Sequence, residues 1–279
     1  MLRNEEIKKI EDFIRIKPRS IQEIAEHIKK NWRTADRYIE EIKKNFGTLD
    51  IRVFRERTRG ALKIVYWASV EKISNTVFQE ELEIDILRFH KKEEFHPFDI
   101  YQFVPDKDKF VWIKKGKDES DAGKLEEFKE MLMKAKKQVL FFSGNLSFVN
   151  FDDKKVKLFE VLEELVKKGI SIKVVCRVDF AARENVEKLL SLNFKYGKEL
   201  VEIHYREQPL RATIIDNELI NLKEIEEPTG RKNELSEKNF IFYTIKNKEW
   251  VEWLSRIFWK MFSSSIDSKK RLEEMRKIK

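Results

Sequence analysis

The chain has 279 residues, 41% of them apolar and 39% charged, with a net charge of +8 and one cysteine. This supports a buried core in one or two modest domains, and the mixed-sign charge reads as solvated helix faces, not disorder. It excludes an internal disulfide and a cysteine-rich zinc site, and no apolar run reaches the ~20 residues of a membrane-crossing helix.

The single Cys176, in "IKVVCRV", reads as a small buried hydrophobe, and a reducing, cytoplasmic setting is expected. Abundant Lys and Glu with little Gln is the composition of a heat-adapted protein. Residues 1–70 hold 17 Lys and Arg against 11 Asp and Glu, a net +6. Most of the excess positive charge therefore lies in a quarter of the chain, which points to a polyanionic partner, double-stranded DNA before others.

In chain order, "NEEIKKIEDFIRIKP" places Ile7, Ile10, Phe13 and Ile14 on one helical face and stops before Pro18. "SIQEIAEHIKK" opens with Ser20 and has Glu23 three residues on, a capping box. After a break at Lys30-Asn31, "WRTADRYIEEIKKNFG" carries Ala35, Ile39, Ile42 and Phe46 at helical spacing and ends at Gly47.

Three short helices, the last two separated by a tight turn, form a helix-turn-helix pattern with the third as recognition helix. Its solvent side offers Arg33, Thr34, Asp36 and Arg37, with the two arginines one turn apart. Such a pair suits phosphate oxygens or a guanine edge. Trp32 either begins the buried stripe or touches the DNA backbone.

"LDIRVFRERTRGALKIVYWAS" then alternates as a hairpin, with Arg55, Arg57 and Arg59 around its tip and Gly60 in the turn. This is the pattern of a winged-helix wing, placed to reach a minor groove or adjacent phosphates.

Residues 71–122 are expected as a helical linker followed by a β-hairpin. The helix carries Ile73, Val77, Leu82 and Ile86 on one side and serves either as a dimerisation stalk or as packing for its own chain. "HPFDIYQFVPDKDKFVWIKKG" reads as two strands around "PDKDK". His90 and His96 have no carboxylate or Cys at ligand spacing, so no metal site is expected there.

From 123 to 266, helical and strand periods alternate as β-α-β-α-β-β-β-α. This order predicts an α/β sandwich with a mixed sheet, ending in an aromatic helix around Trp250 and Trp253. Residues 267–279, "DSKKRLEEMRKIK", read as a solvated, charged helical tail.

The order of elements, the "IIDN" strand and the Trp/Phe-rich last helix resemble one half of the phospholipase D superfamily fold. In that superfamily a His-x-Lys followed by four residues and Asp carries the chemistry: the His attacks phosphorus, the Lys neutralises charge and the Asp supports the histidine. In "PLRATIID", Asp216 takes the Asp position, Arg211 the Lys position and Pro209 the His position. The resemblance thus implies a fold without its nucleophile, and His204 is too far upstream to replace it. A winged helix joined through a helix to such a degenerate domain resembles the archaeal TrmB-like transcription regulators. That likeness implies a dimer whose second domain binds effectors, often sugars. No sugar-site motif is visible, and the expected hairpin departs from a simple coiled-coil linker.

The residues indicated for a small polar or anionic effector are His204, Arg206, Arg211 and Asp216. The competing reading has Asp216 capping a turn with Asn217 and Arg211 paired with a carboxylate. No cofactor is expected. The leading function is DNA-binding transcription regulation; the alternatives are a phosphodiesterase with an atypical site and a winged-helix interaction scaffold.

Overall fold

The computed structural model describes residues 4–46, 48–55, 61–67, 75–116, 125–153, 155–228 and 237–277. The first unit comprises α1 (Asn4–Ile16), β1 (Arg19–Ser20), α2 (Ile21–His27), α3 (Trp32–Phe46), β2 (Leu49–Arg55) and β3 (Ala61–Trp67). Its three strands lie in the order β1-β3-β2, the winged-helix arrangement. The isoleucines at helical spacing close the core: Ile10, Ile24, Ile39 and Ile42 are fully buried. Both bonds of the capping box form. The Ser20 amide donates to Glu23 at 2.7 Å, and the Glu23 amide donates to the Ser20 hydroxyl at 3.2 Å. Between α2 and α3 the chain turns through Lys29 at φ 56°, and Asn31 caps α3 by accepting the Thr34 amide at 2.9 Å.

The second unit is built on an eight-stranded mixed sheet in the order β11-β7-β6-β5-β8-β9-β10-β4. Its strands are β4 (Lys109–Gly116), β5 (Gln138–Phe142), β6 (Ser171–Cys176), β7 (Val201–Tyr205), β8 (Ala212–Ile215), β9 (Leu219–Glu226), β10 (Lys238–Ile245) and β11 (Ile266–Asp267). β5, β6 and β7 run parallel, and their crossovers carry α7 (Leu158–Lys167) and α8 (Arg183–Tyr196). The neighbours β8, β9, β10 and β4 are antiparallel. One sheet face is covered by α9 (Lys248–Ser263), whose Trp250, Trp253, Leu254, Ile257 and Phe258 are buried. The other is covered by α6 (Leu125–Leu132), α7, α8 and α10 (Ser268–Arg276). The α/β class and the mixed sheet agree with the sequence pattern, and Cys176 is buried in the second face, where burial pushes its thiol up to about 12.

Three expectations are corrected. The segment read as a hairpin at 95–115 is helical in its first half: α5 (Phe98–Tyr101) and its flanking turns hold Phe95, Phe98, Ile100, Tyr101 and Val104 in the core. Only β4 is a strand, and its partner is β10, far along the chain. α4 (Asn75–Arg88) buries Gln79, Leu82 and Ile86 against α9, while Val77, expected inside, is 42% exposed. Within the chain it is tied to α9: the Trp253 indole donates to the Gln79 carbonyl at 3.2 Å, and Lys260 meets Glu83 at 2.9 Å. The tail is helical but not a solvated extension. β11 pairs with β7, and α10 buries Leu272 and Met275. The His204 ring stacks on Phe262 at 3.8 Å.

The two units touch. Leu62 and Ile64 of β3 join the core that contains Phe98 and Tyr101, and Tyr66 lies 5.6 Å from Phe98. The Lys17 ammonium donates to the Glu93 carbonyl at 3.2 Å, and Arg52 faces Asp106 at 3.6 Å.

Candidate functional site

The α3 helix turns Ala35, Ile39 and Ile42 into the core, which leaves Arg33, Arg37, Glu40 and Lys44 exposed along the opposite side. Trp32 begins the buried stripe: it is half-buried against the winged-helix core, with the Arg33 guanidinium 5.6 Å from its ring. Thr34 is half-buried, its amide held by Asn31. Asp36 is half-buried and pairs with Lys63 at 2.6 Å. Arg55 ends β2, and Arg57 and Arg59 fall outside the described residues.

A second concentration of cations lines a cavity of about 840 Å³ on the α6 side of the sheet. Lys92, Arg177 and the pair Arg206 and Arg211 reach it from three separate segments, the last being the β7–β8 connection, and Lys223 and Lys246 add charge from the β9–β10 side. The apolar wall includes the stacked pair Trp112–Phe242, with centroids 3.9 Å apart, and Phe110. Lys92 donates to the carbonyl of Gln208 at 2.7 Å and to that of Leu210, while Gln208 ties the loop down through the Ser143 carbonyl at 2.8 Å. Burial, then the charges of Arg211 and Arg177, push the Lys92 ammonium well below the usual lysine range. Bringing an anion into this cavity reverses that penalty, because an opposite charge favours the charged form.

Arg206 and Arg211 line the cavity; His204 and Asp216 do not. Arg206 also spans to the Leu87 carbonyl at 3.1 Å and the Ser264 hydroxyl at 3.0 Å. His204 Nδ1 lies 2.7 Å from the Phe262 carbonyl. Asp216 and Asn217 form a left-handed turn at φ 49° and 58°. The Asp216 carboxylate accepts the amides of Lys136, Lys137 and Gln138 at 2.5, 2.9 and 2.8 Å, which fastens the start of β5 to the end of β8. Pro209 is buried and offers no nucleophile.

A third cluster is absent from the sequence reading. His96, Glu224 and Glu226 come together, with Tyr243 donating to Glu224 at 2.8 Å. Burial pulls the imidazolium of His96 down, but the Glu224 carboxylate outweighs it, and the group is raised to about 9. Burial raises Asp99 to about 7, and burial together with the charge of Glu224 raises Glu226 to about 8. The alternation Glu224-x-Glu226 on a strand is the one local signal; the histidine lies far away in sequence.

A winged helix joined to an α/β unit, with one basic helix and one basic cavity, is the class these features define. No protein-family model matches the chain, and no curated protein matches its sequence. Among solved structures, it is similar to Nuc, a phospholipase D family member from Salmonella typhimurium, at 11% identity and TM-score 0.41, over 57% of this chain and 97% of that one. It is similar to NucT from Helicobacter pylori at 13% identity and TM-score 0.40, over 57% and 99%. TrmBL2, an archaeal chromatin protein described with a novel mode of DNA binding, matches over 95% and 94% at 16% identity and TM-score 0.39. At such scores nothing about activity or partners transfers from them.

Proposed function

We propose that the protein is a DNA-binding transcription regulator that reads duplex DNA with α3 and the wing. The observation that carries this reading is the exposed Arg33–Arg37 pair at the N-terminal half of α3, set one turn apart above a buried isoleucine stripe. Such a spacing suits two guanidinium forks to a major groove, and the net +6 of residues 1–70 supplies the phosphate attraction. Arg55, Arg57 and Arg59 extend the contact along the backbone. The α/β unit acts without catalysis, since Pro209 stands where the resemblance would require a nucleophile. It assembles a homodimer and admits a small anionic effector into the basic cavity, with Arg206 and Arg211 among its contacts. The cellular setting is cytoplasmic; no helix among the described residues is long and apolar enough to cross a membrane.

The test is selection of bound genomic fragments with footprinting, followed by gel shifts. Arg33→Ala with Arg37→Ala is expected to weaken binding by roughly 10- to 100-fold while the melting temperature holds, and each lost phosphate contact lowers the salt slope by about 1. Unchanged affinity in the double variant defeats the assignment. A palindromic footprint is the outcome expected of a dimer.

A further inference from the structure

The cluster at the junction of the two units has the donor set of a metal centre. His96 is 6% exposed, and its Nε2 has no hydrogen-bond partner. Oε1 of Glu224 lies only 2.6 Å from that nitrogen, yet the two are not aligned as a hydrogen bond. Glu226, two residues along β9 and on the same sheet face, completes a triangle in which one ligand atom from each residue lies within 4.8 Å of the others. Two carboxylates, of Glu224 and Glu226, therefore face one buried imidazole, an excess of negative charge that burial makes unfavourable. Protons answer that excess, and so does a divalent cation.

We propose that His96, Glu224 and Glu226 bind one divalent first-row transition metal ion of the Zn²⁺ or Mn²⁺ kind. One imidazole nitrogen with two carboxylates suits such ions, whereas Mg²⁺ and Ca²⁺ prefer oxygen alone and Cu⁺ prefers sulfur. Three protein ligands leave room for water in the remaining positions. The bond from the Tyr243 hydroxyl to Oε2 of Glu224 orients that carboxylate, the usual task of a group behind a ligand. Coordination through Nε2 puts the ring proton on Nδ1, so the 3.2 Å contact in which Nδ1 accepts the Phe98 amide is exchanged for the metal bond. Phe98 packs against Tyr66 of the winged helix, and that exchange reaches the junction directly.

The experiment uses the full chain, stripped with a chelator and titrated separately with Zn²⁺, Co²⁺ and Mg²⁺ by calorimetry, with visible absorption for Co²⁺. Zn²⁺ and Co²⁺ are expected to bind one per chain, with Co²⁺ ligand-field bands and a displaced Phe98 amide resonance. Mg²⁺ at the same concentration is expected to give no response. Glu226→Gln, at a half-buried and nearly isosteric position, should weaken Zn²⁺ at least about tenfold. His96→Gln should abolish the Co²⁺ bands, and His27, His90 and His204 remain as internal controls. Absence of stoichiometric uptake overturns the site, as does uptake that Glu226→Gln leaves unchanged in a folded protein. Mg²⁺ binding as tight as Zn²⁺ also overturns it, because the imidazole would then play no part. If His96→Gln fails to fold, the Glu226→Gln titration decides alone.

Discussion

The winged helix and the α/β unit solve the same problem with contacts of different range. In the first, the capping box spans Ser20 to Glu23, and the stripe Ala35, Ile39 and Ile42 repeats within one helix. In the second, β4 finds β10, Lys92 finds the Gln208–Leu210 loop, and His96 finds Glu224. Local period alone positions the basic face of α3. The cavity and the buried cluster exist only because the sheet gathers segments that are more than a hundred residues apart.

Substitutions can break this contrast, beginning with the largest expected effect. Trp253→Ala removes a buried aromatic and its bond to Gln79, and should cost about 3–5 kcal/mol in denaturant unfolding while leaving the DNA affinity of the folded protein unchanged. Asp216→Ala removes the acceptor of three amides at the start of β5, two of them exposed, and leaves alanine at φ 49°; it should cost roughly 2 kcal/mol. An equal loss in Asp216→Asn would show that the charge matters more than the shape. Ser20→Ala, a local cap, should cost about 1 kcal/mol and lower the unfolding temperature of the winged helix first.

The smallest effect concerns Glu163, which Lys195 and the Tyr196 hydroxyl hold down to about 2. A carboxylate whose folded value lies below its unfolded one stabilises above about pH 4.5, and that contribution is lost as the pH falls towards 2. Glu163→Gln should therefore cost less than about 1 kcal/mol at pH 7, and the gap from the parent protein should close on acidification. A gap independent of pH would assign the effect to packing.

The fold was legible wherever one period ran uninterrupted. α7 and β6 follow directly from "VKLFEVLEELVKKG" and "SIKVVCRV". The segment 95–104 misled because "HPFDIYQFV" alternates apolar and polar residues over a stretch too short to separate the two periods, and its aromatic residues favour strand by propensity. Its helical turns win through tertiary burial of Phe98 and Tyr101. The tail misled because a charged helix with two apolar residues, Leu272 and Met275, gives little sign of docking. Arg206 and Arg211 were visible as cations near the degenerate motif, but Lys92 and Arg177 carry no local mark of the cavity they share. His96 looked isolated because its carboxylates come from a strand more than a hundred residues later.

The short strand β11 also has a bearing on solubility. It pairs Ile266 with Tyr205 and Asp267 with His204, and so occupies the outer side of β7. A chain cut before residue 266 would present a row of unpaired amides and carbonyls beside an apolar strand, the template on which other chains add. Two residues of backbone at the end of the sheet thus act as a guard against strand addition and aggregation.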